Sequence, residues 1–133
     1  MKATLQILMA GAGLLAAGLP VFAHHSGAAV FDSSKKIELK GTVTKVEWTN
    51  PHAHFFMDVK DANGKVTNWN LELASPNVLV RNGWKRNSLK EGDMVTVSGS
   101  PAKDNSTLGI AQSITLPDGR KLNFLSAFEE DSK

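Results

Sequence analysis

Four histidines occur in this 133-residue chain, and they fall in two pairs: His24-His25 and His52-Ala53-His54. Imidazole nitrogens are ligands for the later divalent first-row metals, copper most strongly, with zinc and nickel behind. The first pair gains a further donor if the chain is cut after Ala23. His24 would then present a free α-amine beside its own imidazole, and an amine with a reference pKa near 8 loses its proton to a metal at neutral pH. This is the chelate of histidine-brace copper sites. A cut one residue earlier would leave Ala23-His24-His25, which places a histidine third and suits a square-planar nitrogen set for Cu(II) or Ni(II).

The second pair has strand spacing. Residues i and i+2 of a strand share a face and stand about 6.5–7 Å apart, so His52 and His54 can converge on one ion. Glu72 is expected across the ladder from His54, as a ligand or as an orienting partner. Asp58 is expected farther along the same face. Met57 has the opposite phase and is assigned to the core. The chain has no cysteine, which excludes a thiolate site. The candidate metal set is therefore His24, His25, His52, His54 and Glu72. Trp48, beside Asn50-Pro51-His52, and Phe56 are candidates for lining a ligand groove on the same face.

Other chemistries find less support. There is no Ser–His–Asp ordering, no paired-carboxylate spacing and no phosphate-binding glycine loop, so no catalytic residues are assigned and an enzyme is not expected. A copper site with a terminal histidine can support oxidative chemistry, but no substrate cleft is visible. Arg81, Lys85, Arg86 and Lys90 form a local basic cluster that reads as a solvated helix exit.

These residues must be positioned by short strands. Residues 36–48 alternate as a first strand whose apolar phase shifts from Ile37, Leu39 and Val43 to Val46 and Trp48, which predicts a β-bulge near Gly41. Residues 52–60 form a second strand with Ala53, Phe55, Met57 and Val59 on its core face. Residues 65–74 form a third with Trp69, Leu71 and Leu73 on its core face. Asn63-Gly64 marks a hairpin. A two-residue loop would set Val59 against Asn68, core against solvent. A three-residue loop, 62–64, pairs Met57 with Trp69, Phe55 with Leu71, His54 with Glu72 and His52 with Ala74, and is the consistent register. Ser75-Pro76 opens a short helix, with Ser75 as N-cap and Gly83 just past its end. Trp84 and Leu89 pack the helix and its exit onto the strands. A fourth strand contains Val95 and Val97 and ends near Gly99. A fifth contains Leu108, Ile110, Ile114 and Leu116, and Leu122 and Phe124 add a short extra one. Three strands, a helix and two strands is the order of a mainly β, five-stranded OB-fold-like barrel.

The residues His24-His25-Ser26, Phe31-Asp32, Lys40-Gly41-Thr42-Val43, Trp48-Thr49-Asn50-Pro51-His52, Trp69, Glu72, Ser75-Pro76, Gly83-Trp84 and Gly92-Asp93 together resemble domain-of-unknown-function family 6152, a family of small exported bacterial proteins. The resemblance implies the bounds of the mature domain and no activity.

The first 23 residues have the parts of a cleavable signal peptide with a helical apolar core: Lys2, the apolar run Leu5–Leu19, Pro20, and Val21-Phe22-Ala23 before the cut. The run is about 15 residues, short of the roughly 20 that span a bilayer. A periplasmic or secreted protein is expected, with an arm at 24–35, a barrel at 36–128 and a polar tail at 129–133. Losing Lys2 with the leader takes the formal net charge from +2 to +1. That near-neutral charge and export argue against nucleic acid as a partner. The expected partners are a divalent metal ion or, on a non-metal reading, a peptide, a glycan or an envelope protein held on the second-strand face.

Overall fold

The computed structural model describes residues 27–123. His24, His25, the leader, Phe124 and the tail lie outside the described residues. The elements follow the order α1 (Gly27–Val30), β1 (Ile37–Glu47), β2 (His54–Lys60), β3 (Val66–Glu72), α2 (Pro76–Arg81), β4 (Met94–Pro101), β5 (Leu108–Thr115) and β6 (Lys121–Asn123). Among the described residues no helix is long and apolar enough to cross a membrane.

The strands pair in the order β3-β2-β1-β4-β5-β6, and a parallel β3–β5 pairing closes the first five into a barrel. A closed barrel with the short α2 between β3 and β4 is the OB-fold arrangement. The interior holds Val43, Phe55, Met57, Leu71, Leu73, Leu79, Val95, Val97, Ala111 and Ile114, all buried. Trp84 and Leu89 lie in the same cluster, so the exit of α2 packs onto the barrel as its apolar spacing predicts. Trp69, assigned to the core by phase, is only partly buried and packs against the cluster's margin. Its strand alternates as expected, with Leu71 two residues on fully buried.

Local signals place most of these turns. Val43 pairs with Met57 and Lys45 with Phe56, so Thr44 is the extra residue of a bulge in β1. Gly64 adopts φ +82°, the left-handed conformation that glycine takes without steric cost. Asp61 Oδ1 accepts from the amides of Asn63 (2.8 Å) and Lys65 (2.9 Å) and locks the three-residue loop. The Ser75 hydroxyl accepts from Val78 N at 3.4 Å, and Pro76 occupies the first turn. β4 continues past Gly99 to Pro101, farther than expected, because a second irregularity between Ser98 and Gly99 keeps the strand paired with β5.

The arm is more than a lead-in. Phe31 is 2% exposed and forms a second small cluster with Ala102, Ile110 and Leu108. Gly109 and Ala111 face the barrel interior, so by strand alternation Leu108 and Ile110 face outward. Phe31 therefore covers the outer surface of β5. Backbone bonds from Asp32 N to Pro101 O and from Lys103 N to Val30 O, each 2.9 Å, hold the arm there. Lys103 Nζ donates to Ala28 O at 2.6 Å.

Candidate functional site

The register of β2 and β3 is the one the three-residue loop dictates: Phe55 opposite Leu71, Met57 opposite Trp69, His54 opposite Glu72. Ala53 and Phe55 are fully buried on either side of His54, which forces His52, His54 and Phe56 to the outer surface. Leu71 and Leu73 do the same for Asn70 and Glu72. The bulge at Thr44 has a parallel consequence on β1. It shifts Lys45 and Glu47 onto the outer face, where they pair with Phe56 and His54.

The side-chain partners differ from the expected ones in one respect. Glu72 is the Cα partner of His54, but its carboxylate does not bond to that ring. Glu72 Oε1 lies 2.7 Å from Nδ1 of His52. His54 Nδ1 instead meets Asn70 Oδ1 at 3.0 Å. Both contacts run diagonally, each to the residue two positions short of the direct partner. The right-handed twist of an antiparallel pair brings one diagonal closer than the other, and long polar side chains follow it. His52 and Glu72 are sheltered, with side chains 25% and 16% exposed.

Around them the face is polar and internally paired. Lys45 Nζ stands 5.5 Å above the Phe56 ring and 2.5 Å from Glu47 Oε1. That lysine, with a smaller contribution from His54, holds the Glu47 carboxyl below its usual range. Farther along, Asn68 Nδ2 donates to Asp58 Oδ1 at 2.8 Å and to Thr44 Oγ1 at 3.2 Å. Met57 is fully buried, as its phase requires. Trp48, a candidate groove residue, is partly buried and packs against the main core. Phe56 lies on the outer face under Lys45. Neither lines a concavity of about 460 Å³ at the foot of the face, whose walls include Lys40, Thr42, Asp58, Lys60, Val66 and Met94.

Among the described residues, no group of three or more His, Cys, Asp or Glu side chains converges to hold a metal. The face supplies an imidazole pair with orienting partners. Asn70, Lys45 and Glu47 were not singled out from the sequence. Asn70 follows from the register once the diagonal is considered, and the two β1 residues follow from the phase shift already read there. The arm adds a spatial relation that no local pattern carried. Leu108 and Ile110, which Phe31 covers, are the register partners of Asn70 and Glu72. The start of the described chain is thus anchored on the same outer surface as the histidine partners.

In solved structures, the mitochondrial single-stranded DNA binding protein Rim1 from S. cerevisiae is similar in outline. One crystal form aligns with TM-score 0.48 and 13% identity over 62% of this chain and 93% of that one. A second gives 0.47 and 13% over 62% and 92%. No curated protein matches the chain. The profile of a family of unknown function (DUF6152) matches residues 11–112, most of the sequence, and with the barrel and its outer face in view the chain belongs to that family.

Proposed function

We propose that this protein is an exported binding module that holds a divalent metal ion, copper in preference to zinc or nickel, on the outer face of β2 and β3. His52 and His54 supply imidazoles, and His24, with its α-amine after signal cleavage and with His25 beside it, completes the set. The observation that carries the reading is the pair of histidines held side by side on one face, each with its Nδ1 engaged by a neighbouring acceptor. Metal-bound histidines characteristically have such partners. Two imidazoles make an incomplete site, and the docking of the arm supplies a reason to look to the terminus. His24 precedes Gly27 by three residues, a reach of about 10 Å in extended chain. The mature net charge of +1 and the Lys45–Glu47 pairing on the face leave nucleic acid outside this reading.

The test is a Cu(II) competition titration of mature protein beginning at His24, checked by mass spectrometry. It is run beside a form with one extra N-terminal residue and beside His52→Ala and His54→Ala. Binding tighter than micromolar, weakened tenfold or more by each change, is expected. Equal binding at micromolar strength or weaker in all four would refute the site.

One observation favours a second reading, a non-metal module for a peptide, glycan or envelope protein. The concavity at the foot of the same face combines exposed Val66 and Met94 with Lys40 and Lys60. This reading expects partner capture that survives chelator and is lost in His52→Ala or Lys60→Glu. Capture unaffected by either substitution refutes it.

A further inference from the structure

Resting on the metal reading above, we propose that Glu72 and Asn70 are positioning residues and not ligands: each fixes its histidine as the Nδ1–H tautomer, so that Nε2 is the nitrogen both imidazoles present to the ion. A carboxylate oxygen only accepts, so the 2.7 Å contact to Glu72 Oε1 places the proton of a neutral His52 on Nδ1. The amide oxygen of Asn70 does the same for His54 at 3.0 Å. In either ring the lone pair then belongs to Nε2, the nitrogen farther from the strand backbone.

The His52–Glu72 separation is that of a charge-assisted hydrogen bond. The amide oxygen of Asn70 is a hard donor better matched to calcium or magnesium than to copper. The two partners also differ in charge. A carboxylate raises the donor strength of its imidazole more than a neutral amide does, which makes His52 the stronger ligand of the pair.

The experiment uses the mature chain beginning at His24, labelled with nitrogen-15, and reads imidazole tautomers by long-range nitrogen–proton correlation above pH 8. Native protein is expected to show Nδ1–H at both His52 and His54. Glu72→Leu should release His52 alone toward the Nε2–H form that a free imidazole prefers, and Asn70→Ala should release His54 alone. Zn(II), the diamagnetic probe, should then shift Nε2 of both rings. Glu72→Gln, which keeps shape and loses charge, should weaken Cu(II) binding 10- to 100-fold. An Nε2–H tautomer at either histidine of the native protein overturns the proposal. So does a Zn(II)-induced shift at Nδ1, or unchanged Cu(II) affinity in Glu72→Gln, and both leave the metal reading standing. Native tautomers as expected, with no metal response in any form, overturn the metal reading and with it the coordinating role of Nε2.

Discussion

Truncating Phe31 measures how firmly the arm is held on the barrel. The ring is 2% exposed, against Ala102, Ile110 and Leu108 on the outside of β5. Burying a phenylalanine is worth about 2–3 kcal/mol in transfer free energy, and truncation to alanine in a packed site costs about 3–5 kcal/mol once the cavity is included. The cluster is small and lies at the surface, where neighbours can partly collapse, so the low end applies. Phe31→Ala should lower the unfolding free energy of the mature protein by about 3 kcal/mol, and Phe31→Leu by about 1 kcal/mol. Urea unfolding followed by tryptophan fluorescence reads the total. Hydrogen exchange reads the location. The amides of Asp32 and Lys103, which bond across the arm–barrel seam, should lose roughly 100-fold in protection, the equivalent of that free energy at 1.4 kcal/mol per factor of ten. A fall of less than 1 kcal/mol with protection at Asp32 and Lys103 unchanged would show that backbone bonds hold the arm and that the ring contributes little.

Gly41→Ala should destabilise the barrel by more than about 3 kcal/mol, the range of severe overpacking, because the new Cβ would sit 2.1 Å from the backbone oxygen of Asp58 on β2. Near-native stability in thermal unfolding would show that β1 and β2 can separate there. Asp32 titrates below the usual carboxylate range, chiefly because the Ser34 hydroxyl hydrogen-bonds to it. A carboxyl depressed in the folded state contributes stability that is present above about pH 4 and is lost as pH falls through the lowered value. Asp32→Asn should therefore be less stable than the native chain at pH 6, with the difference shrinking toward pH 2; a gap independent of pH refutes the assignment.

Much of the barrel was legible because its signals are local. The phase shift between Val43 and Val46 announced the bulge, and the core–solvent alternation on both sides of Asn63-Gly64 allowed one hairpin register. Ser75-Pro76 and Gly83 bracketed the helix. Those same signals placed His52, His54 and Phe56 on one face, since a period of two leaves a strand side chain only two directions. Trp69 shows where alternation falls short: it says which way a ring points and not how much of the barrel covers it.

The sequence by itself determined the succession of elements along the chain, the β2–β3 register and the face on which the strand histidines lie, because each depends on neighbours within a few residues or on one tight turn. Only the tertiary structure decided which partner each histidine takes. Sheet twist, a property of the assembled strands, tilts Glu72 to His52 and leaves Asn70 for His54. The assembled barrel also decided the place of the arm. Phe31 stands more than seventy residues from Ala102, and only the β4–β5 hairpin beside β3 creates the outer cluster that buries it next to the histidine partners.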